Sequence, residues 1–147
     1  MYSNLGIDPG SSGCQTYEAT SFLIYQFRFE PSAALVLLQI GVLGESNWPP
    51  TSDNRRLRVL AEYLQEHYGP SHEVVIYEAS PDPDKQPRIQ HASLSRLHEM
   101  EVSVSSTLYV PPKGLPPLNS DMIGRLDMKT PSKADEPGAW ARQISDA

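Results

Sequence analysis

Apolar residues along this chain follow two periods, and the switch between them outlines the elements. The sharpest pattern is Leu57, Leu60, Ala61, Leu64 and Tyr68, spaced 3, 1, 3 and 4. That spacing puts all five on one face of a helix ending near Tyr68, with Ser52 or Asp53 as its cap and Gly69-Pro70 as its stop. The apolar run EVVIYEA, Glu73 to Ala79, predicts a short strand central in a sheet. Three earlier segments also predict strands. Residues 3–8 (SNLGID) form a short buried one, closed by the turn Pro9-Gly10-Ser11-Ser12-Gly13. Tyr17 to Phe29 is rich in aromatic and β-branched residues and breaks at Glu30-Pro31-Ser32. Ala33 to Val42 is an apolar run closed by Gly41 and Gly44.

Beyond the Pro- and Asp-rich stretch 80–87, Ile89 to about Met100 predicts a second helix, with Leu94 and Leu97 in the core. Residues 101–110 carry two periods. Val102-Ser103-Val104-Ser105 alternates as a strand, while Leu97, Val104 and Leu108 continue a helical stripe. Past Pro111 the prolines leave little room for regular structure, apart from a final helical turn or two at Ala139 to Ile144. Early strands followed by alternating helix and strand fit an α/β layer with a mixed sheet. The division expected is a core at 1–112 and a Pro-rich segment at 113–147 that completes or extends the same domain.

Composition narrows the class. A chain of 147 residues is about one domain and long enough for a real core. A single cysteine, Cys14, excludes an internal disulfide framework and a cysteine-based zinc site. The start has no basic region followed by an apolar run, as a secretory signal would. The longest near-apolar stretch, Ala33 to Gly44, is shorter than the roughly 20 residues a bilayer needs. The expectation is a cytoplasmic protein with no membrane contact. The net charge of −6 argues against a general nucleic-acid coat. It is uneven: residues 1–84 hold four Arg and eleven Asp or Glu, giving −7, and residues 85–147 hold eight Lys or Arg and seven Asp or Glu, giving +1.

Two carboxylates stand out. Asp8 ends the first predicted strand before a glycine-rich turn, and Glu78 ends the strand after the helix. Strand ends line the ligand crevice in open α/β sheets. If the two strands are neighbours, Asp8 and Glu78 converge into an oxygen-rich site for Mg²⁺ or Mn²⁺, with Gly10 and Gly13 letting a phosphate approach the backbone. The plain alternative is that Asp8 caps a turn and Glu78 sits on the surface. His67, His72, His91 and His98 read as exposed helix residues, Cys14 as an inert thiol, and Trp48 and Trp140 as loop anchors or base-stacking groups.

Leu5-Gly6-Ile7-Asp8-Pro9-Gly10-Ser11-Ser12-Gly13 and Val74-Val75-Ile76-Tyr77-Glu78 together resemble the RuvC-type Holliday junction resolvases, in order and in spacing. The resemblance covers roughly 5–112. It implies a ribonuclease H-like fold, a mixed central sheet with helices on its faces. It further implies a metal-dependent endonuclease that cleaves branched DNA as a homodimer, with two Mg²⁺ ions shared by Asp8, Glu78 and Asp135. Asp146 competes with Asp135 as the last ligand. The family's closing pair of carboxylates is incomplete here, since Gly138 stands at the second position. Lys113, Lys129 and Lys133 would contact phosphates. Three other readings stay open: a ribonuclease H-like protein that binds nucleic acid without cutting, an RNA-processing nuclease of the YqgF-like type, and a fragment of a phosphate-binding ATPase.

Overall fold

The computed structural model describes residues 1–47 and 54–132. Among these residues, five strands form one mixed sheet: β1 (Cys14–Glu18), β2 (Ala34–Leu38), β3 (Glu73–Glu78), β4 (Arg88–Ser93) and β5 (Thr107–Val110). Their order is β1-β2-β5-β3-β4. β1 and β2 are parallel, while β5 runs antiparallel to both β2 and β3, and β4 antiparallel to β3. β1, β2 and β3 therefore point the same way, and their carboxyl ends share one edge of the sheet.

Among the described residues, five helices accompany the strands: α1 (Tyr2–Leu5), α2 (Pro9–Ser12), α3 (Ala19–Ile24), α4 (Leu57–Tyr68) and α5 (Ser120–Arg125). Short 3-10 turns cover Ile40–Val42 and Leu94–Glu99. α4 is the helix that the apolar stripe predicts, and Leu57, Leu60, Ala61, Leu64 and Tyr68 are its buried residues. It ends at Gly69, whose φ of 86° suits a residue without Cβ and whose N–H closes on the Gln65 carbonyl at 2.9 Å. It starts at Leu57 with Arg56 in the N-cap position and no side-chain cap, so neither Ser52 nor Asp53, which lie outside the described residues, is its N-cap. α4 packs on Leu35, Leu37, Val74, Ile76, Leu108 and Val110 of the sheet. Each fully buried leucine there contributes roughly 1.5–3 kcal/mol. The other face buries Ala34, Val36, Val75 and Tyr109 under the N-terminal segment, chiefly Ile7 and Leu5.

Several local expectations need correction. Residues 3–8 are not a strand. α1 ends at the left-handed Gly6, with φ 68°, and Asp8 caps α2 by accepting the Gly10 N–H at 3.1 Å. Pro9 occupies the first helical position, where its missing N–H costs nothing. The strand expected over Tyr17–Phe29 stops at Glu18, because the Glu18 carboxylate caps α3 through the N–H groups of Thr20 and Ser21, at 3.1 and 2.8 Å. Ile89–Met100 is not one helix: the chain pairs with β3 as β4 and then tightens into a 3-10 turn. Leu94 and Leu97 are fully buried, as their spacing predicts. In 101–110 only Thr107–Val110 is strand, and Val104 faces solvent. The final turns expected at 139–144 fall outside the described residues. The mixed α/β class holds, but a ribonuclease H-like sheet needs its first strand at 3–8, and that segment is helical turn and loop.

Candidate functional site

Glu78 closes β3 at the carboxyl edge, and three side chains grip it. Its Oε1 accepts from the Ser103 hydroxyl in a short bond, and from the Ser105 hydroxyl at 3.4 Å. Its Oε2 accepts from Arg88 Nη2 at 2.7 Å. Arg88 sits directly across the β3–β4 hairpin from Glu78. Its guanidinium also meets the Glu101 carboxylate at 3.4 Å and the Glu101 carbonyl at 3.2 Å, while Gln90 donates to that carbonyl at 3.1 Å. The Ser103 hydrogen bond is the largest influence on the Glu78 carboxyl; burial opposes it, and the Arg88 charge and hydrogen bond add to it, so the carboxyl is held below its usual range. Glu78 is thus an ionised anchor with both oxygens engaged.

The segment it anchors reaches the end of β2. Ser103 N–H donates to Ser106 Oγ at 2.8 Å, and Ser106 N–H returns to the Ser103 carbonyl at 3.1 Å. The Ser106 carbonyl accepts the Ile40 N–H at 3.2 Å. Gly41 lies against the Ser103 carbonyl so closely that a Cβ at 41 would sit 2.7 Å from the carbonyl carbon. Just before it, Gln39 adopts φ 61° and ψ 41°, a left-handed conformation that L side chains disfavour, with the residue itself exposed. Strained non-glycine residues of this kind gather at functional sites. Reading the sequence missed Gln39, Ser103 and Ser105. The one signal in the sequence is Gly41, a glycine that also fits a strand terminator.

At the opposite edge lies a cavity of about 370 Å³. Its wall combines Ile7, Ala34 and Tyr109 with Asp8, Ser11 and Ser32. Burial, and then the nearby Cys14, push the Tyr109 hydroxyl above its ordinary range. Cys14 is half-buried, 4.0 Å from the Thr16 hydroxyl.

Asp8 and Glu78 do not converge. Asp8 shares the cavity with Tyr109 and Pro112 at the end of β5, whereas Glu78 is bound by Ser103 and Ser105 before β5 begins. The length of β3, six residues or about 17 Å, separates the two edges. Gly10 supplies the N–H that Asp8 binds, and Gly13, at φ 78°, turns the chain into β1. Lys113 ties the chain down, its Nζ donating to the His67 carbonyl at 3.2 Å and its N–H to the Pro31 carbonyl at 2.7 Å. Lys129 is exposed. Asp135, Asp146, Lys133, Gly138, Trp48 and Trp140 lie outside the described residues. Among the described residues, no group of three His, Cys, Asp or Glu is placed to hold a metal ion. Their helices include none long and apolar enough to cross a membrane. The histidines are not simply exposed helix residues: His67 packs edge-on against Phe29 and Tyr63, and His72 bonds the Pro111 carbonyl at 2.9 Å. His91, on β4, pairs with Glu73 at 2.9 Å.

No protein-family model matches the chain. Curated proteins do. The methyltransferase/ribosomally synthesized cyclic peptide dendrothelin A precursor of Dendrothele bispora is 33% identical over 98% of this chain and 37% of its own length. The corresponding omphalotin A precursor of Omphalotus olearius is 36% identical over 87% of this chain and 32% of its own. The type III borosin cyclic peptide precursor of Anomoporia bombycina, also a methyltransferase, is 35% identical over 87% of this chain and 15% of its own. The chain thus spans between 15% and 37% of the length of these relatives. Among solved structures, the uroporphyrin III C-methyl transferase of Thermus thermophilus aligns with a TM-score of 0.43 and 18% identity, covering 71% of this chain and 42% of that one.

These relatives overturn the resemblance to RuvC-type resolvases, which rested on two short motifs, residues 5–13 and 74–78. Identity to the methyltransferase precursors extends over 87–98% of the chain. The nuclease reading falls with it, in its DNA-cutting, non-cutting and RNA-processing forms, together with the two-metal chemistry and Mg²⁺ or Mn²⁺ as cofactor. Branched DNA, which Lys113, Lys129 and Lys133 were expected to hold, is not a partner such relatives indicate. The homodimer inferred from paired cuts loses its ground.

Proposed function

We propose that this chain forms part of a methyltransferase that modifies a ribosomally synthesized peptide, with S-adenosylmethionine as methyl donor. The observation that carries the reading is the identity, above 30% over nearly the whole chain, to proteins that join a methyltransferase to a cyclic-peptide precursor. A sulfonium donor supplies an electrophilic methyl group and leaves as a neutral thioether. The carboxyl edge of β1, β2 and β3 suits such a group, because ligands of α/β sheets lie beyond strand carboxyl ends. Gln39 is exposed there on a strained turn, and Ala79 is exposed just past β3. Gln39 and the backbone beyond β3 would bind and orient the donor. Glu78, saturated by Arg88 and Ser103, does not serve as a free base.

The test is to incubate the intact protein with isotope-labelled S-adenosylmethionine and follow peptide mass. Labelled methyl groups on a peptide support the reading. Donor binding without methyl transfer to any peptide removes the substrate half of it, and the absence of donor binding removes the whole.

A further inference from the structure

We propose that Glu78 is a positioning residue: its carboxylate, through Ser103 and Ser105, holds the 103–106 loop against Gly41 and thereby sets the left-handed turn at Gln39 on the carboxyl edge of the sheet. The inference rests on the methyltransferase reading only for what that edge serves.

Each link is a separate contact. Glu78 comes from β3, the serines from the approach to β5, and Gln39 and Gly41 from the exit of β2. These segments are far apart in sequence, so the turn depends on tertiary contacts. The loop is closed on itself by the reciprocal Ser103–Ser106 bonds, so it moves as one piece. It touches the turn twice, by the Ser106 carbonyl on the Ile40 N–H and by the Ser103 carbonyl on Gly41. Arg88 fixes the other oxygen of Glu78, which leaves Oε1 aimed at the serines. The missing Cβ at position 41 is what lets the loop close this far. Gln39 sits one residue before Ile40, in a conformation its own side chain disfavours. Released from the loop, it relaxes toward an extended or right-handed backbone and redirects its exposed side chain. Glu78 therefore acts on the edge through the turn, without touching what binds there.

The experiment uses the intact protein and the variants Glu78→Ala, Glu78→Gln, Gln39→Gly and the double variant Glu78→Ala/Gln39→Gly. Amide hydrogen exchange at Ile40 reads the turn directly and needs no activity. Glu78→Ala should speed that exchange by about tenfold or more while Val75 and Leu108 stay protected. Glu78→Gln should restore most of the protection, since its amide oxygen still accepts from Ser103. With S-adenosylmethionine and a peptide acceptor, Glu78→Ala should raise the donor KM about tenfold and leave kcat within about twofold. In the Gln39→Gly background, where the left-handed turn is unstrained, the same change should add less than about twofold. Unchanged exchange at Ile40 in Glu78→Ala, or effects of the two substitutions that simply multiply, overturns the proposal. A parent protein that transfers no methyl group defeats the methyltransferase reading instead, and the exchange measurement still decides the role of Glu78.

Discussion

Replacing Gly41 by alanine tests the glycine that, among the described ones, lies most tightly against neighbouring backbone. The added Cβ would fall 2.7 Å from the Ser103 carbonyl carbon, so something must move. The obstacle is backbone, and that backbone is held by Glu78 through the Ser103 hydroxyl and by both Ser106 bonds. Overpacking of this kind costs about 1–3 kcal/mol, and a clamped backbone places it at the upper end. Pushing the loop away also breaks the Ile40–Ser106 hydrogen bond, worth about 1 kcal/mol. Loss of glycine freedom in the unfolded chain returns about 0.4–1 kcal/mol. The net expectation is a destabilisation of about 3 kcal/mol. Urea denaturation reads it as a fall in midpoint of about 1–2 M at unchanged slope. Gly69→Ala is the control. At φ 86° it strains the backbone but meets open space, so it should cost only about 1–2 kcal/mol. A Gly41→Ala cost below about 1 kcal/mol, or one no larger than that of Gly69→Ala, would refute the idea that the 103–106 loop is clamped.

Tyr68 buries a hydroxyl that finds no hydrogen-bond partner among the described residues, and burial pushes its pKa strongly upward. Tyr68→Phe should therefore stabilise by about 1 kcal/mol, seen as a rise in Tm of about 2–4 °C, and a fall in Tm would contradict the assignment. Glu18→Ala removes the acceptor of two backbone N–H groups at the start of α3 and should cost about 1–2 kcal/mol in a denaturant titration; no change would mean the cap is dispensable. The lowered carboxyl of Glu78 stabilises the fold above the ordinary value of 4.5, and that contribution is lost as pH falls through the folded value. Glu78→Gln should flatten this acid limb of the stability curve, measured as urea midpoints at descending pH. An unchanged limb would show that other carboxylates carry it.

The parts legible in the sequence were those whose local pattern agrees with their tertiary surroundings. α4 has one apolar face and a glycine stop, and β3 is an unbroken apolar run because both of its sides are covered. The misread parts lack such agreement. Leu5 and Ile7 are too few to define a period, so nothing local separates a buried strand from two turns of helix. The aromatic stretch after Tyr17 has a strand-like composition because Phe22 is buried in the core and Phe29 packs against it, whereas the Glu18 cap, a contact of one side chain with two amides, starts α3. β4 is an edge strand with both sides largely exposed, so its sequence shows no alternation, and its pairing with β3 decides its state. Glu78 was found because it ends a strong strand. Its partners Ser103 and Ser105 lie 25 and 27 residues away, and no local pattern announces them.

The same physics explains why Asp8 misleads. Asp-Pro-Gly after an apolar residue serves equally well as a strand end that offers a carboxylate and as a helix N-cap that uses it up. Asp accepts an amide, Pro tolerates the first helical position, and Gly admits the turn in either case. What separates the two is direction within the sheet. β1, β2 and β3 run in parallel, and a ligand approaching their carboxyl edge meets Glu18, Gln39 and Glu78. Glu18 is committed to capping α3, and Glu78 to Arg88 and Ser103. Gln39 is left to face solvent, in a conformation that the rest of the edge must maintain. Asp8 stands at the other edge, about the length of a strand away, so no ion with coordination distances of about 2 Å can bridge it to Glu78. Two carboxylates in the right order along the chain therefore make no shared metal site among the described residues. At the carboxyl edge the charged groups act as scaffold, and Gln39 is the residue exposed to solvent.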